Sequence, residues 1–122
     1  MTFFQDYRTH TGSKEDKEYK ATLFRSTRLL LGLNCLEPGQ SQHAHRHPDQ
    51  DKFYFVVEGE GEFTIGEEVR TVGAGVAVWA PFGTYHGVTN RGECRLVLLM
   101  GIAPAPPVPR EAPHGERASK EG

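Results

Sequence analysis

Six histidines occur in the chain, and four of them sit in two short segments. His43, His45 and His47 alternate with other residues in one segment. His86 follows the turn-forming triplet Pro81-Phe82-Gly83 in the other. Residues two apart on an extended segment project to one face, so His45 and His47 can converge on a single cation. A neighbouring strand starting at His86 can carry a third imidazole to the same point. Three imidazoles suit Fe, Mn, Co, Ni, Cu or Zn and do not suit Ca or Mg. His43 shares the face of His45, but alternate strand residues lie about 6.6 Å apart, so three in a row do not readily serve one ion. His43 with His45 is therefore the alternative pair. His10 and His114 fall in the flanks and read as solvent-exposed.

These residues need a scaffold of strands. Residues 21–102 break at regular turn signals. An apolar run over 22–36 stops at Pro38-Gly39. Residues 52–58 (KFYFVVE) are aromatic and β-branched and stop at Gly59. Segments 62–65, 69–72, 76–80, 86–90 and 95–102 follow, with glycine-rich turns at 66–68 and 73–75. Short strands with such turns predict an all-β sandwich or barrel. Residues 1–20 read as an N-terminal arm or edge strand. Residues 103–122 hold five of the eight prolines and no aromatic residue, a composition that predicts a disordered tail. In KFYFVVE, Phe53, Phe55 and Val57 share one face, Tyr54 and Val56 the other. Two apolar faces predict a second layer or another subunit against the outer one, hence a homodimer.

A chain of 122 residues fits one domain. The net charge of −2, with both signs interspersed, supplies no basic field for nucleic acid or an anionic membrane. No apolar run reaches the length of a membrane span, and the N-terminus lacks the basic-then-apolar order of a secretory signal. A cytoplasmic protein is the expectation, with Cys35 and Cys94 as reduced thiols.

The two histidine segments resemble the paired motifs of the cupin superfamily, G-x5-H-x-H-x3–4-E-x6-G and G-x5-P-x-G-x2-H-x3-N. The second is matched throughout by Gly75, Pro81, Gly83, His86 and Asn90. The first is matched at Gly39, His45, His47 and Gly59. The resemblance covers roughly residues 30–102 and implies a small single-domain, type-2-like cupin: a double-stranded β-helix, or jelly-roll β-barrel. It also implies a divalent transition metal and dioxygenase, isomerase or decarboxylase activity on a small oxygenated substrate. The alternative is a non-catalytic cupin that binds a sugar or small acid.

One position departs from the pattern. Where the motif has its metal-binding glutamate this chain has Lys52, and a protonated lysine cannot coordinate a metal. Asp51 fits the shorter spacing after His47, but needs a bulge or a shifted register to turn inward. Gln50 shares the parity of Lys52 and offers a neutral oxygen. Three readings stay open: a His45-His47-His86 site with open positions, the same site completed by Asp51, and a metal-free pocket for a small organic ligand. An inward Lys52 favours an anionic ligand. The aromatics near the motifs, Tyr54, Phe55, Trp79, Phe82 and Tyr85, read as core before pocket wall, with Tyr85 nearest to a ligand. Asn90 reads as an organiser of the turn. No residue is singled out as catalytic.

Overall fold

The computed structural model describes residues 2–46 and 48–108. The described chain is almost entirely β: β1 (Tyr19–Arg25), β2 (Leu30–Leu36), β3 (Ser41–His45), β4 (Asp51–Glu58), β5 (Glu60–Ile65), β6 (Glu68–Gly73), β7 (Ala77–Ala80), β8 (His86–Thr89) and β9 (Leu96–Ala103). Two sheets form, ordered β1-β2-β9-β4-β7 and β3-β8-β5-β6. All pairings are antiparallel. This is the jelly-roll, double-stranded β-helix architecture. Among the described residues no helix is long and apolar enough to cross a membrane.

Strand alternation builds the core. Tyr54 and Val56 of β4, Leu96, Leu98, Met100 and Ile102 of β9, Phe63 of β5 and Val88 of β8 all turn into one buried cluster between the sheets. The other face of the larger sheet has its own cluster around Leu23, Leu33, Cys35 and Val97. The N-terminal segment covers it. Asp6 caps a 3-10 turn, Tyr7–Thr9, by accepting the Arg8 N–H at 3.0 Å. Tyr7 packs on the cluster, and its hydroxyl donates to Glu58 Oε2 at 2.6 Å. Further along the same face Phe55 and Trp79 remain 37% and 57% exposed.

The apolar run at 22–36 is two strands, not one. The polar triplet Ser26-Thr27-Arg28 interrupts it. Ser26 N–H donates to the Leu29 carbonyl at 2.9 Å, and Ser26 Oγ accepts the N–H groups of Arg28 and Leu29. A serine that satisfies local backbone groups in this way competes with the ladder and makes a turn. At the other end, β9 runs to Ala103, and the proline-rich segment begins fastened to the fold. Gln50 Nε2 donates to the Pro104 carbonyl at 3.1 Å, Arg25 donates to the Pro106 carbonyl, and Ala105 packs on the core. Residues 109–122, most of the expected tail, lie outside the described residues.

Two glycines show what the turns require. Gly59 has φ +82, and a Cβ there would lie 2.4 Å from the Arg95 carbonyl oxygen. Gly75 has φ +94 with nothing within 4 Å of the same position. Gly75→Ala should therefore cost only the left-handed backbone penalty, about 1–2 kcal/mol. Gly59→Ala should cost at least about 3 kcal/mol, because backbone must also move. Urea denaturation of the two variants reads the difference directly; equal losses would contradict the close approach.

Candidate functional site

The site is set by how β3 pairs with β8. Ser41 faces Thr89 and Gln42 faces Val88, but the next registered pair is His45 with His86. Three steps on β3 match two on β8, so β3 carries one extra residue. Such a bulge reverses the alternation beyond it. Gln42 and His45 consequently both reach the interior, although three residues apart. His43 is turned outward and exposed. The expectation that His43 and His45 share a face fails for this reason, and the alternative pair falls with it. β3 ends at His45. His47 lies outside the described residues. Among the described residues no three His, Cys, Asp or Glu side chains cluster as a metal site.

The His45 and His86 rings are 4.6 Å apart between centroids. His86 is fully buried and His45 half-buried. Each ring is held in the same way. His45 Nδ1 lies 2.8 Å from the His43 carbonyl, and His86 Nδ1 lies 3.1 Å from the Thr84 carbonyl. A carbonyl oxygen only accepts, so each Nδ1 carries a proton. In the neutral imidazole the lone pair then belongs to Nε2 on both rings. Backbone carbonyls that fix the tautomer in this way support metal-ligating histidines. The donor chemistry of His45 and His86 thus fits two ligands of a transition metal.

Lys52 is the unexpected inhabitant of the interior. The β4 register against β7 and β9 runs without a shift from Asp51 to Val56, so Lys52 and Tyr54 both face inward and both are 0% exposed. The Lys52 ammonium stands 4.7 Å from the Tyr54 ring centroid and 3.5 Å from Gln42 Oε1. The Tyr54 hydroxyl donates to the same oxygen at 2.7 Å. Gln42 Nε2 in turn donates to Glu18 Oε2 at 3.4 Å, and Lys20 reaches that carboxylate at 3.8 Å. Tyr54 connects this chain to the histidines, with its ring 6.2 Å from that of His86. Burial pushes the Tyr54 phenol far above its ordinary value, and the Glu18 charge adds to the shift.

A second polar feature lies on the inner face of β2. Asn34 is 1% exposed, and among the described residues neither atom of its amide finds a hydrogen-bond partner. It lines a cavity of about 130 Å³ with Lys20, Gly32 and Met100. Sequence reasoning missed Gln42, Asn34 and Glu18. No motif marks them, and their inward placement depends on register.

The structure sends the other candidates elsewhere. Asp51 lies on the opposite face from Lys52, and its Oδ1 accepts the Phe82 N–H at 3.0 Å. Gln50 bonds Pro104. Of the aromatics read as core, only Tyr54 is buried. Trp79 alternates with inward Val78 and Ala80 and so faces out. Phe82 and Tyr85 sit in the surface turn, where Arg46 covers the Tyr85 ring at 4.6 Å. Asn90 organises the chain as expected. It is fully buried, donates to the Leu36 and Cys94 carbonyls at 2.8 and 2.9 Å, and accepts from Gly92 N–H. Both cysteines are free, Cys35 buried and Cys94 exposed, and burial pushes the Cys35 thiol up.

A β-barrel of this topology with histidines converging on its interior defines the cupin class. Residues 32–101 match the family model described as a cupin domain, and the chain belongs to that family. It is 34% identical over 85 residues to the tetracenomycin polyketide synthase protein TcmJ of Streptomyces glaucescens, covering 69% of this chain and 56% of the relative. The chain thus spans little more than half of that protein's length. It is 30% identical over 93 residues to the oxalate-binding protein of Thermotoga maritima, covering 76% and 71%. Among solved structures it resembles TT1209 from Thermus thermophilus, with a TM-score of 0.83 and 36% identity over 86% of this chain and all of that one.

Two outcomes follow from the packing. A phenol held protonated in the fold binds its proton more tightly than in the unfolded chain, so this contribution to stability is present below the ordinary value of 10.0 and is lost as pH rises above it. Tyr54→Phe should cost about 1 kcal/mol at neutral pH, through the lost bond to Gln42. It should also show a shallower alkaline loss of stability than wild type, read by urea denaturation across pH 8–11. Iodoacetamide at neutral pH should label Cys94 alone in the native protein, with Cys35 reacting only after unfolding, as counted by intact mass.

Proposed function

We propose that this cupin binds one divalent transition metal through His45, His47 and His86 and uses the open coordination positions to take a small oxygenated acid. The observation that carries the reading is the pair of imidazoles at 4.6 Å with both lone pairs on Nε2. Asp51 is left out of the ligand set because its carboxylate is engaged at Phe82. A bound metal would polarise a chelated oxygen and stabilise developing negative charge. The chain's own residues do the rest. The Thr84 and His43 carbonyls orient the rings, Tyr54 and Phe63 wall the interior, and the Lys52 ammonium favours an anionic ligand. The name of the oxalate-binding relative agrees with a small acid. Dioxygenase, isomerase and decarboxylase chemistry all remain within this reading.

A second reading has its own support. A buried ammonium where the motif has glutamate also suits a metal-free barrel that simply binds an acid. Metal analysis separates the two. Protein purified without a histidine tag and reconstituted anaerobically, with a small dicarboxylate present, should hold about one equivalent of Fe, Mn, Co, Ni, Cu or Zn under the three-ligand reading. His45→Ala and His86→Ala should each lose it, whereas His43→Ala should retain it. Metal content below about 0.1 equivalent under all these conditions would favour the metal-free binder.

Self-association belongs to the same proposal. The outer face around Phe55 and Trp79 presents the exposed apolar surface expected of a homodimer contact. Sedimentation should find a dimer in wild type and a monomer in Trp79→Asp; a monomeric wild type would remove this part.

A further inference from the structure

We propose that Lys52 makes metal and anion binding mutually dependent: the barrel retains a divalent transition metal only together with a small chelating dianion of the dicarboxylate class. The inference rests on the three-histidine reading above and deepens it. It starts from charge. Three neutral imidazoles bring no negative charge to a divalent cation. The position that supplies a carboxylate in the family motif supplies an ammonium here, fully buried on the inward face of β4. Lys52 stands over the Tyr54 ring, and that ring is the neighbour of His86. Among the described residues, the carboxylate that hydrogen bonding joins to this cluster is that of Glu18, and it sits on the far side of the Gln42 amide, shared with Lys20. Asp51 is turned to the other face.

Within a low-dielectric interior such charges act over the width of a ring. A divalent cation added to His45 and His86 is therefore opposed by Lys52. A ligand with two anionic oxygens removes the opposition from both sides. It neutralises the metal it chelates, and its charge is attracted to the ammonium. A neutral chelator of the same shape does neither. Linkage then requires that metal raise the affinity for the dianion by the same factor that the dianion raises the affinity for metal.

Equilibrium dialysis of tag-free full-length protein against Mn(II) or Ni(II) tests this. The excess metal in the protein chamber reports binding whatever complexes form in solution. The comparison is made at a buffered free-metal level, alone, with oxalate, and with oxamide, its neutral isostere. Wild type should bind metal roughly 10- to 100-fold more tightly with oxalate than without, and oxamide should have no effect. Radiolabelled oxalate should show the reciprocal gain with metal. Lys52→Glu should bind metal without oxalate at least about tenfold more tightly than wild type does, and lose the oxalate enhancement. Lys52→Met, which keeps an apolar chain of similar length, should also bind metal without oxalate more tightly than wild type does, and serves if the glutamate variant fails to fold. Equal wild-type metal affinity with and without oxalate, together with unchanged affinity in Lys52→Met, would overturn the linkage while leaving the metal site standing. Absence of metal from wild type in every condition would overturn the three-histidine reading and the linkage with it.

Discussion

A single extra residue between Gln42 and His45 decides which side chains of β3 reach the barrel interior. Before it, Gln42 points inward by ordinary alternation with Ser41. After it, His45 points inward too, opposite His86 on β8. Without the bulge the same strand would turn His43 toward the interior with His45 only if Gln42 were turned out. The irregularity therefore does two things at once. It puts an imidazole within ring contact of His86, and it keeps an amide next to Tyr54 and Lys52. Bulges beside sites re-aim side chains in this way.

The polar residues that follow from this arrangement are mutually determined. A buried ammonium is costly unless hydrogen-bonded or otherwise compensated. Lys52 lies against the Gln42 carbonyl oxygen and the face of Tyr54. The Tyr54 hydroxyl donates to the same oxygen. Two donors meeting one amide leave no choice of orientation: Oε1 faces them and Nε2 faces outward to the Glu18 carboxylate. The amide thus lies between a cation and an anion and is polarised along that line. Glu18 precedes β1, so the first strand is joined to the site through this contact, and Lys20 extends it to the cavity beside Asn34.

Much of the scaffold was legible in the sequence because its signals are local. Glycine and proline mark the turns, and alternation marks β4 and β9. The G-x5-P-x-G-x2-H-x3-N spacing marks the turn at Pro81-Gly83 and ends on Asn90, which ties the next turn to the end of β2. The missed features are non-local. Nothing in SQHAH announces a bulge, because its evidence is the partner register on β8. The hairpin within residues 22–36 was hidden by apolar residues on both sides of Ser26. Glu18 and Gln42 are ordinary polar residues until the fold sets them 3.4 Å apart. Trp79 read as core because aromatics usually are, yet strand parity turns it outward.

Asp51 and Lys52 show how far register outweighs composition. The two are adjacent, one acid and one base, and a strand must send them to opposite faces. An unshifted β4 gives the base to the interior and the acid to the surface. The acid is not idle there. Its carboxylate holds the Phe82 N–H at the start of the turn whose Thr84 carbonyl orients the His86 ring. The carboxylate missing from the interior therefore supports the same histidine from outside, through the backbone. A shift of β4 by one residue would reverse the sign of charge inside the barrel and release that turn together. The charge of the site and the posture of His86 are consequently set by one strand register.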